Sequence, residues 1–491
     1  MKRIVIIGGG ISGLAAAHQL LTQSSDAKQQ IELILIEAGS HPGGIVQTDA
    51  HDGFLLERGP DSFISEKPAA LELAKRLVLE SQLIQTNSQN RRSFVVSRGK
   101  LLPVPEGFQL IAPSRFSTFL QSDIFSWSGK ARIALELLLP RRSGKVEDDE
   151  SLAQFVRRRL GREALARIAQ PMVGGIYTAD PELLSLRATM PRFLEMEREH
   201  RSLILAMRRK RSVGGDASDA SGARYSLFLS FDRGMQVLTD ALARAIADFR
   251  SPLAENSSGP LAPPAQIKLN TSVDSLTLNR ESDQPRWTIK TESGETILAD
   301  ALLLAVPAFV SARLLRKVDA QLAAELSDIK YASTATINFA YQRNDIPHAL
   351  DGFGFVVPFI EKQSLIACTF SSQKFAGRAP AGHVLLRVFV GGALQPQMLE
   401  LDDTEILTRV RNDLRQLLGI VKAPLFAEVS RWQNSMPQYH VGHLDRVKRI
   451  DEIALSLPGL ALAGNAYTGP GIPDCVRSGQ EAAKKVWSLQ S

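Results

Sequence analysis

Apolar residues run unbroken in a few short stretches of this chain, and such stretches predict the buried strands of a parallel sheet. Arg3 to Ile7 is one, and Ile31 to Ile36, ending on Glu37, is the next, with an Ala/Leu-rich helix between them. Ala299 to Val306, closed by Pro307, and Leu460 to Ala463, running into Gly464-Asn465, read as further strands of the same kind. That sheet is therefore expected to be assembled from separated parts of the chain. Two other zones differ in period. From about Phe116 to Arg211 apolar positions recur at helical spacing, as in Lys130 to Leu139 and Ser151 to Leu160. From about Tyr331 to Gly419 they alternate, as in Thr334 to Tyr341 and Val384 to Val390, before an amphipathic helix from Asp402 to Leu418. Ser212 to Ala223 and the Pro- and Ser-rich Ser251 to Pro264 follow no period and are expected to be surface loops.

With 491 residues the chain exceeds one simple core, and two or three domains are expected. Its longest apolar run, Ala301 to Val310, is ten residues with Pro307 inside, too short to span a bilayer. Met1-Lys2-Arg3 leads straight into a strand, so no targeting peptide is expected and the cytosol is the expected compartment. Two cysteines, Cys368 and Cys475, support neither a disulfide framework nor a thiolate metal site. Cys475 follows Pro473-Asp474 at a predicted helix start, which would lower its pKa; a packed, inert thiol is the favoured reading. The histidines show no metal-ligand spacing, and His440 and His443 lack an adjacent acid, so no metal is expected. The net charge of +6 is modest, but Arg157-Arg158-Arg159 and Arg208-Arg209-Lys210-Arg211 are clustered in the helical zone. They are either anion-attracting patches or solvated helix faces. No nucleic-acid-binding motif accompanies them, and nucleic acid is not an expected partner.

The sharpest chemical signal is the turn Gly8-Gly9-Gly10-Ile11-Ser12-Gly13 between the first strand and its helix. Gly8 allows the tight turn, Gly10 lets a pyrophosphate approach the backbone, and Gly13 lets the helix pack on the strand. The helix N-terminus then offers N–H groups and partial positive charge to the phosphates. Glu37, at the tip of the second strand, is placed to accept hydrogen bonds from a ribose diol. Strand, turn, helix, strand and acid in this order predict a dinucleotide site.

After Glu37-Ala38 come Gly43-Gly44, Gln47-Thr48 and Gly59-Pro60-Asp61-Ser62. This spacing resembles the FAD-binding pattern of the amine oxidase and protoporphyrinogen oxidase superfamily, whose second glycine pair lets the chain run against the flavin. That pattern generally has Arg or Lys directly after the pair; Ile45 stands there, so the glycine geometry carries over and a basic contact does not. Further along, Glu57 to Phe63, Lys100 to Pro105, Gly175 to Asp180, Trp432 to His443 and Gly464 to Cys475 closely resemble the porphyrinogen oxidases of haem synthesis. The wording is most similar to the Gram-positive-type branch that acts on coproporphyrinogen III, and less to the enzymes that act on protoporphyrinogen IX.

The resemblance implies an α/β (α+β multidomain) fold. A Rossmann-like FAD-binding domain of the p-hydroxybenzoate hydroxylase or amine oxidase type would take residues 1–50, 235–305 and 430–491. A sheet-based substrate domain would take 51–98, 225–234 and 306–429, and a helical domain 99–211, followed by a flexible loop at 212–224. FAD would be held by Gly8, Gly9, Gly10, Ile11, Ser12 and Gly13 at the pyrophosphate, and by Glu37 and Ala38 at the adenosine. Gly44 and Gly59, Pro60, Asp61 and Ser62 would run beside the flavin. Val273 would touch the adenine by its backbone, and Trp432 with Gly471, Ile472 and Pro473 would line the isoalloxazine side, where a helix start favours negative charge on the reduced ring. Substrate would meet Gly175 and Tyr177, with Arg91 or Arg92 anchoring propionates.

The implied reaction removes six electrons and six hydrogens from a porphyrinogen in three rounds, with dioxygen as acceptor and hydrogen peroxide released. The chemistry is the flavin's, and no residue is assigned as a catalytic base. Peripheral membrane contact through the helical domain and a homodimer are compatible with this reading. Alternatives are an amine oxidase or carotenoid desaturase, which share the N-terminal pattern, and a non-catalytic flavin-containing porphyrin carrier.

Overall fold

The first two apolar stretches become parallel neighbours in the computed structural model, which describes residues 2–89, 91–105, 108–109, 112–113, 116–142, 148–213, 228–249, 265–279 and 287–488. Lys2–Ile7 pairs with Ile31–Ile36, Ile4 opposite Leu33. The parallel sheet runs Gln266–Lys268, Ile31–Ile36, Lys2–Ile7, Ala301–Leu304, Leu460–Leu462. Side chains alternate across it and feed two cores. Ile4, Ile6, Leu33 and Leu35 pack with the helices Ile11–Asp26, Gln236–Ala247 and Ile472–Ser488. Val5, Ile7, Ile34 and Ile36 pack with Trp287 and Ile289 of an antiparallel sheet, formed by Val273–Leu278, Trp287–Thr291 and Thr296–Ala299, and with the helices Ala308–Leu315 and His443–Leu455. Burial on both faces is why these strands read as unbroken apolar runs.

The expected single strand Ala299 to Val306 is divided. Ala299 ends an antiparallel strand and Ala301 begins the parallel one. Asp300 makes the corner: its N–H donates to the Arg3 carbonyl at 2.9 Å and its carboxylate accepts the Arg3 N–H at 2.8 Å.

A second sheet of seven strands runs Phe426–Pro437, Tyr331–Gln342, His383–Gly391, Leu365–Phe370, Gly354–Val356, Phe94–Ser97, Lys100–Pro103. Ile337, Phe339, Leu386 and Val388 cover the amphipathic helix Asp403–Leu418 through Ile406, Val410 and Leu414. The Asp402 side chain caps that helix by accepting the Glu405 N–H at 2.8 Å, and Gly419, at φ +73°, ends it.

The helical zone has its own core around Phe119, Phe155, Phe193 and Ile204. Leu152–Arg159 starts from a capping box of Ser151 and Gln154. The stretch Lys130 to Leu139 is helical only to Ala134 and then tightens into a 3-10 turn, Leu135–Leu137. Glu136 turns inward there, accepting the Ser202 hydroxyl at 2.5 Å and the Leu203 N–H at 2.8 Å and pairing with Arg159, both side chains fully buried. Arg157-Arg158-Arg159 is therefore divided: Arg158 binds the buried Glu150 and Glu197 and Arg159 the buried Glu136, whereas Arg157 stays on an exposed face, paired with Glu182. Ser212 and Val213 close the helix Leu203–Val213, so the expected loop does not begin at Ser212. The rest of the expected loop, 214–223, all of 251–264, and the side chains of Lys210 and Arg211 lie outside the described residues. No helix among the described residues is long and apolar enough to cross a membrane. No cluster of three or more His, Cys, Asp or Glu among them could hold a metal ion.

Candidate active site: a glycine cradle, a clamped loop and a helix end

Gly8 lies at φ +106°, and a Cβ there would come within 2.5 Å of the Ala305 carbonyl oxygen. Gly13 is tighter still, since a Cβ would sit 1.9 Å from the Gly8 oxygen, so the helix seats on the strand only with hydrogen at that position. Gly10 differs from both: a Cβ there would meet nothing within 4 Å. It is the N-cap of Ile11–Asp26, which has no side-chain cap and no acid in its first turn. Glu37 bends back to this turn and accepts the Gly9 N–H at 2.6 Å and the Gly39 N–H at 2.8 Å. Its oxygens keep further lone pairs. Ala38 follows it, and the Thr271 N–H, two residues before Val273, donates to the Glu37 carbonyl at 2.9 Å. The Val273 carbonyl accepts Arg313 at 3.2 Å. The Gly43 N–H reaches the Gly9 carbonyl at 2.8 Å, and a Cβ on Gly44, at φ +61°, would lie 3.3 Å from the Gly10 Cα. An uncapped helix start beside open space, walled by glycine backbone, fits the pyrophosphate of a dinucleotide.

Gly59 passes so close to Ile45 that a Cβ would lie 1.7 Å from its carbonyl oxygen. From here side chains of distant strands grip the backbone. Asn338 donates to the Glu57 carbonyl at 3.2 Å, and Thr336 and the Trp432 indole donate to the Arg58 carbonyl at 2.7 and 3.0 Å. Arg387 donates to the Gly59 carbonyl and Ser230 to the Asp61 carbonyl at 2.8 Å. The Asp61 carboxylate takes both Lys374 contacts, at 2.9 and 3.0 Å, and the Ser62 hydroxyl at 2.8 Å. Burial works against the Asp61 charge, yet Lys374 and then Arg387 hold its pKa well below the usual carboxylate range. Glu57 behaves oppositely: burial raises it, and the Thr48 hydroxyl at 2.7 Å and the Met235 N–H at 2.9 Å only moderate the rise. Arg378, 2% exposed, donates to Ser230 and to the Phe231 carbonyl, both at 2.9 Å.

Ile472 and Pro473 are buried at the start of Ile472–Ser488, and the Cys475 N–H donates to the Gly471 carbonyl at 2.9 Å. Burial pushes the Cys475 thiol up to about 12, so it is inert at neutral pH. On the helical side, a π-helical turn, Leu165–Ala169, runs into Gln170–Tyr177, which ends at Thr178 with φ +49°. Gly175 and Ile176 are exposed at this end, and a Cβ on Gly175 would touch Val356 at 3.8 Å. The Tyr177 hydroxyl donates to the Thr189 carbonyl at 3.2 Å, and its pKa is pushed up to about 12 by burial and by Asp474. Tyr177 packs on Tyr439, which stacks on His443 at 4.2 Å. A cavity of about 470 Å³, lined by Asp180, Lys330, Tyr331, Gln438 and His440 among others, adjoins this helix end; its lining includes no residue of the cradle or the clamp.

The two candidate anchors point to different neighbours. Arg91 donates to the Thr86 and Asn87 carbonyls at 3.4 and 3.2 Å. Arg92 donates to the Asp351 carbonyl at 2.7 Å and pairs with the Asp351 carboxylate. It leads into Phe94–Ser97, the neighbour of the strand that carries Val356 to Gly175.

Thr336, Asn338, Lys374, Arg378 and Arg387 escaped sequence reasoning. Their signal is nevertheless visible: Arg387 interrupts His383-Val384-Leu385-Leu386-Arg387-Val388-Phe389-Val390, and Thr336 and Asn338 are polar positions in the apolar middle of a strand. A polar side chain at such a position demands a buried partner.

A parallel sheet with a glycine cradle, backed by a small antiparallel sheet and accompanied by a large seven-stranded one, is the architecture of a dinucleotide-binding protein. The chain belongs to the flavin-containing amine oxidoreductase family, whose pattern matches residues 11–487. It is thus an oxidoreductase, and the flavin carried on a dinucleotide-binding fold is FAD. Among curated proteins it is similar to the coproporphyrinogen III oxidase of Bacillus subtilis, 33% identical over 483 residues, covering 98% of this chain and 97% of that one. It is also similar to the chloroplastic protoporphyrinogen oxidase of Nicotiana tabacum, 29% identical, covering 99% of this chain and 86% of that one. A crystal structure from Exiguobacterium sp. 255-15 superposes with a TM-score of 0.84 at 32% identity, covering 100% of this chain and 99% of that one.

Proposed function

We propose that this protein oxidises a porphyrinogen to the porphyrin in haem biosynthesis, with coproporphyrinogen III as the favoured substrate. The observation that carries the reading is the similarity to a coproporphyrinogen III oxidase, which covers 98% of this chain and 97% of that one. FAD accepts two electrons at a time, so the six electrons and six hydrogens leave in three rounds, and dioxygen consumes them as three molecules of hydrogen peroxide. The chain's own task is to hold a flat apolar macrocycle in one orientation. Gly175 and Ile176 offer an open, apolar helix end beside Val356, and Tyr177, a donor rather than an anion at neutral pH, braces that end from within. Arg92 is the anchor we favour for a propionate: its strand adjoins Val356, and its contacts with Asp351 use only part of its five-donor fork. Cys475 stays out of the chemistry, and pyrrole protons leave to water.

Aerobic turnover of the flavin-loaded protein on freshly reduced coproporphyrinogen III and protoporphyrinogen IX, followed by porphyrin fluorescence and peroxide, tests this. A higher kcat/KM on the four-propionate substrate is expected, with three peroxides per porphyrin. Arg92→Met should raise KM roughly tenfold, the loss of one charge-assisted pair of about 1.5 kcal/mol. The reverse preference would assign the protein to protoporphyrinogen IX, and no turnover of either would overturn the proposal.

A further inference from the structure

We propose that the ion pair between Lys67 and Asp474 sets the charge that the flavin meets at the start of helix Ile472–Ser488, and through it the flavin's reduction potential. The inference rests on the bound FAD and not on which porphyrinogen is oxidised.

Asp474 is 3% exposed and belongs to the first turn of that helix. Its Oδ2 lies 2.6 Å from the Lys67 Nζ, across 407 positions of sequence. The loop before the helix closes round the carboxylate: a Cβ on Gly469 would lie 2.4 Å from the Asp474 Cγ, and one on Gly471 3.2 Å from its Oδ2. This helix also abuts the dinucleotide cradle, since a Cβ on Gly479 would lie 2.1 Å from the Ser12 carbonyl oxygen. Lys67 arrives from the other direction, on the chain that leaves the clamped segment Glu57 to Ser62. The pair therefore fastens the start of this helix to the chain that leaves the clamp. The carboxylate's field reaches across to the helical side, where it helps to raise Tyr177 and Tyr439.

The charges explain why the pair is needed. A helix start favours negative charge on a nearby group, but here the first turn carries its own carboxylate, which offsets that effect. Lys67, with its side chain 55% exposed, and Arg477 at 3.5 Å offset the carboxylate in turn. Reduction of a flavin adds negative charge, so a cation beside it raises the potential and an uncompensated carboxylate lowers it. Lys67 is thus a positioning residue: it acts by cancelling Asp474, not by touching substrate.

The test is the midpoint potential of the flavin in the loaded protein, measured without substrate, so that a failure of the porphyrinogen reading leaves it untouched. Lys67→Met, a change at a half-exposed site, is expected to lower the potential by about 30 mV or more, a tenfold shift in a two-electron equilibrium. Asp474→Asn should raise it, the double variant should return towards the starting value, and Lys67→Arg should preserve it. An unchanged potential in Lys67→Met overturns the proposal. So does a Lys67→Met protein that stays folded and merely loses its flavin, which would make the pair a clasp.

Discussion

The chain is held in place by opposite means in the cradle at Gly8 to Gly13 and in the clamp on Glu57 to Ser62. The cradle is built of backbone: its precision comes from Gly8 and Gly13, where no Cβ fits, and the one charged side chain bonded to it among the described residues is Glu37, on the Gly9 N–H. In the clamp the backbone is passive, and buried side chains from three strands of the large sheet, with Ser230 and Lys374, hold four of its carbonyls and one carboxylate. Such a device tolerates added volume better than lost charge, because each cation left behind is desolvated without a partner. The two regions should therefore fail differently.

Asp61→Ala provides the harshest test, since it leaves Lys374 and Arg387 buried without their carboxylate. A loss of about 3–5 kcal/mol is expected in urea unfolding. A loss below about 1 kcal/mol would show that the carbonyl contacts alone hold the segment.

The wall formed by Tyr177, Tyr439 and His443 sharpens the contrast, because it works only while uncharged. Burial lowers the His443 pKa to about 4, and its Nε2 lies 3.1 Å from the Tyr467 carbonyl. The unfolded chain binds this proton first, so the contribution is complete above pH 6.5, falls as the pH drops from 6.5 to about 4, and changes no further below. It amounts to about 3 kcal/mol. Subtracting the stability profile of His443→Gln from that of the parent isolates it, and parallel profiles would remove His443 as the cause.

Gly13→Ala should cost less, about 2 kcal/mol, as the helix shifts to relieve the contact with the Gly8 carbonyl. Its signature is loss of FAD on gel filtration while the fold persists, with Asp61→Ala losing fold and flavin together. Flavin retained at full occupancy in Gly13→Ala would mean that the cradle yields.

What could be read in advance followed the same division. The glycine turn, Glu37, the flanking strands and the Asp402–Leu418 amphipathic helix are patterns legible within short stretches of sequence, even where, as for Gly8 against Ala305, the constraint itself is distant. Arg157-Arg158-Arg159 misled, since a run of three arginines carries no mark of the Glu136, Glu150 and Glu197 that receive two of them in the folded core. Ala299 to Val306 misled for a related reason: an apolar run does not reveal that Asp300 turns a corner within it. Trp432 was recognised by its motif, but not the use of its indole N–H on Arg58.

By itself the sequence determined the dinucleotide cradle, the three periodic zones and the family, because glycine placement, apolar period and contiguous motifs are properties of neighbouring residues. Only the tertiary structure decided how Asp61 is held, which arginines are buried, and that Lys67 meets Asp474. Those are pairings across 23 positions for Arg159 and Glu136 and 407 for Lys67 and Asp474, between charges that could each have chosen water, and only the packed sheets and helices remove that choice.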